Sequence, residues 1–475
     1  MTLSGATGEP AAGATGGAQP EGVTRPIRDA LLALALPGLA SFLLRIAYQW
    51  VDALWVRPLG VQATAAVTTS VFVMWSAYSL NDVFAIGVTA FTSQLLGAGD
   101  RPRAGLAAWR GLSASALMGL GISACGLFFA HWIYALLDPS PAMAAVGTSY
   151  LRVVLVGAPL PMMALTCESI MRASGDTRTP LTLDLCAVAI NAALAPLLIY
   201  GAGPIHAMGV AGSAWATVFA QGALVAGYLF FGLRGHRAFP LSFTAPGPPI
   251  RLRGLIKVGV PAAIIGLLFS VVYIAFARSA SRFGSASLAI VGIANRIEAI
   301  QFATSLALGT AAATLVGQNL GAGRPERAEQ AMRTARRWGL WISSAITLLL
   351  LAFPHAFIGM FTRDPAVQAI GAPYLRILAT CLVINALEII TAEAVLGSGH
   401  TVAMSWIFSS FSLLRIPLAF IAPNVAHSGV LGIACVISLT CLVRGLIIVG
   451  WAARGTWKTG LRSELHGAPG LPPAE

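Results

Sequence analysis

Twelve apolar runs, each long enough to cross a bilayer and set apart by short breaks, constrain this chain more than any other feature. Crossing the hydrocarbon takes about 20 mostly apolar residues in a helix, because no water is present there to satisfy an open backbone. The runs cover approximately 30–56, 62–96, 106–131, 142–171, 180–200, 208–233, 254–278, 286–320, 338–358, 367–396, 402–423 and 429–453. The second and eighth are longer than a span needs, so part of each tilts or projects. With 57% apolar and 10% charged residues, against about 25% charged in a soluble chain, this composition argues for an all-α polytopic membrane protein. The mean hydropathy of +0.78 agrees. The net charge of +12 could suggest nucleic acid, but the basic residues fall in gaps between runs and not in aromatic-interleaved clusters. The expected partner is the lipid bilayer, with no nucleic acid.

Twelve spans put both ends of the chain on one side. That side collects twenty Lys and Arg, among them Arg101, Arg103, Arg172, Arg178, Arg251, Arg253, Arg324 and Arg327. The opposite side has only Arg57, Arg278, Arg282 and Arg363, and six more (Arg45, Arg152, Arg296, Arg376, Arg415, Arg444) fall within spans. The excess of Lys and Arg in cytoplasmic loops then makes both termini cytoplasmic and the location a plasma membrane, in a bacterium the inner one. The six cysteines lie in apolar stretches without metal-ligand spacing and read as buried reduced thiols.

Shifted by 224 residues, the chain matches itself. Gln94-Leu-Leu-Gly-Ala-Gly99 falls on Gln318-Asn-Leu-Gly-Ala-Gly323, Tyr150-Leu-Arg152 on Tyr374-Leu-Arg376, Ser174-Gly175 on Ser398-Gly399 and Pro37 on Pro261. Near the ends of the halves the shift becomes 220, with Gly209-Val210 on Gly429-Val430. The chain therefore reads as two pseudo-symmetric six-helix bundles, 25–234 and 254–455, related by an axis along the membrane normal. A Pro-rich cytoplasmic linker, 235–253, joins them. Residues 1–24, rich in Gly, Ala, Thr and Pro, are expected to form a disordered cytoplasmic tail, and 456–475 a second tail.

Three stretches resemble the multidrug and toxic compound extrusion family of secondary transporters. They are Trp50-Val-Asp-Ala-Leu-Trp-Val-Arg-Pro-Leu-Gly60, Gln94-Leu-Leu-Gly-Ala-Gly-Asp100 with its echo at 318–323, and Met171-Arg-Ala-Ser-Gly-Asp-Thr-Arg-Thr-Pro180. The resemblance covers roughly residues 26 to 455. It implies an exporter that expels organic cations, drugs or other amphipathic compounds against inward H+, or less favourably Na+, by alternating access between V-shaped halves. No cofactor beyond the coupling ion is implied, and a monomer is expected.

Acidic side chains inside the membrane are functional candidates by cost alone; here they are Asp52, Asp82, Glu168, Asp184, Glu298, Glu388 and Glu393. Asp52 leads, because the resemblance places a cation-coupling Asp at this position. Shielded between helices, such a carboxylate favours a state neutralised by a proton or cation, which cargo can displace. Asn191 is expected to hydrogen-bond Asp52. The resemblance calls for an Asp four residues later, where Ala195 stands, so one carboxylate remains and a single protonatable switch is favoured. Asp184, seven residues before Asn191, either substitutes for it or pairs with Arg178. Glu298, Glu388 and Glu393 match spans where some relatives bind cations, although Glu298 also has Arg296, Arg282 and Arg278 as ion-pair candidates. Asp82 and Glu168 have no counterpart in the other half and rank lower. Tyr48, Gln49, Trp75, Tyr78, Tyr273 and Gln301 are the candidate cargo-cavity residues, aromatic faces supplying cation–π attraction.

Two other readings are weaker. A lipid-linked oligosaccharide flippase of the same superfamily needs clustered cavity arginines, whereas those here scatter over both halves. An intramembrane enzyme needs a local constellation such as HExxH or GxSxG, and the sequence has neither. No nucleotide-binding GxxxxGK[ST] loop is present, so ATP does not drive this chain directly.

Overall fold

The computed structural model describes residues 20–137, 141–204, 206–236 and 238–461. A short helix, α1 (Glu21–Thr24), precedes the N-terminal half: α2 (Ile27–Val56), α3 (Val61–Gly97), α4 (Arg101–Leu137), α5 (Pro141–Val156), α6 (Pro159–Ser174), α7 (Arg178–Tyr200) and α8 (Val210–Leu233). The C-terminal half follows as α9 (Leu252–Ser281), α10 (Ser285–Gly321), α11 (Pro325–Ala352), the short α12 (Pro354–Gly359), α13 (Pro365–Gly397), α14 (Thr401–Ile421) and α15 (Val430–Ala453). Nine of these helices are long and apolar enough to span a membrane, and α5 with α6, bent by 47°, make a tenth. α3 and α11 complete the twelve. α11 opens on Pro325-Glu-Arg and carries its charges in a stretch that extends beyond the apolar part.

The fourth span, read from sequence as one run, is broken. Pro159 brings no N–H to the helical ladder, and a Cβ on Gly157 would sit 2.4 Å from Val218, so the chain turns where a straight helix would lose a bond and collide. The following motif has a plain structural cause. Gly175, at φ +95°, ends α6 in the left-handed region. Asp176 then starts α7, its carboxylate accepting from the Arg178 and Thr179 amides at 2.9 and 3.0 Å.

The duplication is realised atom by atom where the halves meet, at the face that carries both termini. A Cβ on Gly97 would lie 1.9 Å from the Gln318 carbonyl oxygen, and one on Gly321 would lie 1.9 Å from that of Gln94. The Gln94 amide donates to the Gly397 carbonyl at 3.2 Å, and the Gln318 amide to that of Ala173 at 2.9 Å. Every pairing obeys the 224 shift. Only glycine lets two helix backbones approach so closely. Among the described residues, every hydrogen bond between the halves lies toward this face, so the halves are sealed here.

Both tails take part. Residues 20–24 are not a loose segment: Val23 is 1% exposed, the Gly22 carbonyl accepts from Asn319 at 3.1 Å and that of Val23 from Arg324 at 3.1 Å. At the other end Trp457 is fully buried in the core of the C-terminal half. Leu461 packs into the core of the N-terminal half and its amide donates to Gln94 Oε1 at 2.8 Å. Three cysteines are buried (Cys167, Cys381, Cys441) while Cys125, Cys186 and Cys435 lie on the outer surface, contrary to the expectation that all six are interior.

Candidate functional site

Polar residues inside the N-terminal half fall on matching helix faces. On α2, Ser41, Arg45, Tyr48 and Asp52 recur at three- and four-residue steps, and on α8 Ser213 and Thr217 do the same. Asp52, 8% exposed, accepts from the Ser213 hydroxyl at 2.6 Å. The Thr217 hydroxyl receives both Tyr48, at 3.2 Å, and the Asn191 amide, at 3.3 Å. Asn191 thus does not donate to Asp52 as expected. It reaches the same α8 face one turn farther along. Asp52 has no ion-pair partner among the described residues, and Arg57 is exposed. Sequence reasoning missed Ser213 and Thr217, although two hydroxyls four residues apart in an apolar span were a readable signal.

Asp184 is no second carboxylate for this site. Two turns nearer the sealed face, it lies beside Ser41 and within electrostatic reach of Arg45 and Glu168. It does not pair with Arg178, whose backbone is held by Asp176. Glu168 is gripped from two sides, by Arg45 and by Arg172 at 3.0 Å. Beyond it, Arg172 lies within electrostatic reach of Asp82 and of Glu393, which comes from the other half.

In the C-terminal half the candidates separate. Glu388 is 0% exposed and forms an ion pair with Arg444 at 2.5 Å. Glu393, five residues on and so turned away, looks toward Asp82 and Arg172. Glu298 is partly exposed and pairs with none of Arg296, Arg282 or Arg278; its electrostatic neighbours are Arg415 and Cys441. Arg282 instead lies over the Phe420 ring, 4.9 Å from its centroid.

Of the cavity candidates, Tyr48 and Tyr78 lie near one another beside Asp52. Tyr273 packs on Phe269 with centroids 4.5 Å apart and lies near Glu298. Gln301 is corrected: at 1% exposure it is turned into the core, donating to Ser305 at 3.0 Å and to the Leu382 carbonyl at 3.3 Å. Its position on α10 faces α13 and not the space between halves. The side chains of Gln49 and Trp75 lie outside the described residues.

Comparison with known proteins agrees with this architecture. A model of the MatE family matches twice, over residues 37–197 and 261–421, and the two matches are themselves 224 residues apart. The chain is 27% identical over 431 residues to a protein of Shewanella oneidensis named FAD transporter, covering 89% of this chain and 94% of that one. It is 27% identical over 374 residues to multidrug resistance protein PmpM of Pseudomonas aeruginosa, covering 78% of each. A crystal structure of MATE in the bent conformation superposes with a TM-score of 0.85 at 21% identity, over 94% of this chain and all of that one.

Proposed function

This chain belongs to the MatE family of membrane transporters, and we propose that it is a secondary antiporter exporting amphipathic compounds, organic cations among them, in exchange for inward H+. It works as a monomer in the plasma membrane, with both termini and the sealed face cytoplasmic. The observation that carries the reading is Asp52: buried in a membrane helix, bonded to one hydroxyl and facing no cation. A carboxylate in such surroundings calls for a positive partner, and a proton or cationic cargo supplies it. Ala195, where a second carboxylate would add field for a multiply coordinated Na+, favours the proton.

With the halves joined at the cytoplasmic face, Asp52 takes a proton from the outside, which releases cargo held nearby. Separation of the glycine contacts at Gly97 and Gly321 turns the site inward, where the proton leaves and cargo returns. The FAD transporter of Shewanella oneidensis extends the range of cargo considered to aromatic compounds bearing phosphate. The test is efflux of a fluorescent cation from proteoliposomes under separately imposed H+ and Na+ gradients, with native protein and Asp52→Asn. We expect H+ alone to drive efflux and the Asn variant to lose it by about a hundredfold, a general acid–base scale of effect. Undiminished efflux from Asp52→Asn would remove Asp52 from the coupling.

A further inference from the structure

Three charged side chains sit inside the C-terminal half where the N-terminal half, built on the same frame, has none. Arg415 and Arg444 are each 6% exposed and Glu388 is 0% exposed. The 224 shift that relates the two family matches sets Asn191 against Arg415. The 220 shift sets Leu224 against Arg444, and the 224 shift sets Ala164 against Glu388. An asparagine, a leucine and an alanine therefore make the equivalent packing, and nothing in the fold calls for charge at these positions. Ions buried where the scaffold does not need them are costly and mark function.

The charges are unevenly matched. Arg444 has Glu388 at 2.5 Å. Arg415 has no carboxylate at ion-pair distance among the described residues. Its Nε donates to the Thr440 hydroxyl at 2.7 Å and its Nη2 to Cys441 Sγ at 3.0 Å, both neutral groups when the thiol holds its proton. Glu388 lies within its electrostatic reach beyond ion-pair distance, and so does Glu298, which is partly exposed. A partly exposed carboxylate at this depth faces water and not lipid, so Glu298 marks where the space between halves comes up to Arg415. Flat surfaces stand beside it: Tyr273 near Glu298 and Arg415, and Phe408 with its ring centroid 4.4 Å from the Arg444 guanidinium carbon. A guanidinium is a planar fork of donors whose geometry fits a carboxylate or phosphate.

We propose that Arg415 anchors an anion-recognition site in the C-terminal half, which takes the carboxylate or phosphate of an aromatic amphipathic cargo. This rests on the exporter reading and names its cargo class. Arg415 is the binding group, and the Glu388–Arg444 pair holds the helices α13 and α15 around it. The two halves then divide the work, with proton exchange at Asp52 and cargo charge read at Arg415.

The test uses purified full-length protein in nanodiscs of phosphatidylcholine alone, with riboflavin and riboflavin 5′-phosphate as probes followed by flavin fluorescence. These differ only in the phosphate. Native protein should bind the phosphate form at least about tenfold more tightly, the scale of one charge-assisted hydrogen bond. Arg415→Leu should erase that preference; Arg415→Lys should keep part of it. If the Leu variant does not fold, Arg415→Gln replaces it. Equal affinity of native protein for both probes, or a preference that survives loss of the guanidinium, overturns the site. Repeating the measurement with phosphatidylglycerol added should leave affinity unchanged; competition by that lipid assigns Arg415 to a headgroup and overturns the cargo claim. Binding is read without a gradient, so a protein that binds as expected but drives no efflux sinks the exporter reading and leaves the site standing.

Discussion

Glu168 shows what a single buried acid does when two guanidiniums depend on it. It is 5% exposed and held by Arg45, 37% exposed, and Arg172, 21% exposed. Glu168→Ala leaves both cations without a carboxylate in the interior, and the expected loss is about 3 kcal/mol, the low end for a broken buried pair because Arg45 is partly solvated. Thermal unfolding in detergent checks it; a melting temperature equal to that of native protein would show the trio to be dispensable. From sequence alone Asp52 could be singled out, since it sits in a contiguous motif, but its hydroxyl partner is 161 residues away and Glu168 lies 123 residues from Arg45. Span-level hydrophobicity says that a charge is buried and not which other span it faces. Gln301 was misplaced for the same reason, because a helix of 37 residues buried on several sides has no single polar face to read.

Pairs of helices decide how the molecule opens, and the reciprocal glycines are their contact. At Gly97 the atom a Cβ would meet is a backbone oxygen, which cannot rotate away as a side chain would. Gly97→Ala should therefore force α3 and α10 apart at the face that carries both termini and favour an arrangement open on that side. Spin labels on the α3–α4 and α10–α11 turns should report a longer distance than in native protein; an unchanged distance would show that the seal lies elsewhere. The positions of the helices were legible because an apolar run bounded by Gly, Pro or charge has few other options. The break between α5 and α6 was not, although Pro159 and Pro161 inside an unbroken hydropathy run were its signature.

At the level of the whole molecule, duplication was the most legible fact, because a fixed offset survives substitution of most side chains. The packed tails were the least legible, since a Gly-, Ala- and Pro-rich lead-in and a short polar end look unstructured until a surface is there to receive them. The C-terminal segment carries a salt bridge outside the membrane, Lys458 to Glu329 at 2.7 Å. The Lys458 hydrogen bond, followed by that from Arg333, holds the Glu329 carboxyl below its ordinary value. The contribution of a lowered carboxyl is present above the ordinary Glu value, about 4.3, and disappears as pH falls through the lowered one. Tail docking should accordingly be flat around neutrality and loosen only in strong acid. Lys458→Ala should cost less than about 1 kcal/mol, both partners being partly exposed, seen as modestly faster tryptic cleavage after Arg454.

The crossing of the two tails has a consequence for how the polypeptide is held together. Gly22 and Val23 are gripped by the half that begins 230 or so residues later, and Leu461 by the half that ended long before it. Each lobe owns a handhold on its sibling that does not pass through residues 235–253. Severing that connector leaves two fragments already dovetailed at both extremities, and lengthening either extremity by fusion must first clear a joint that the bundle uses to keep its lobes in register.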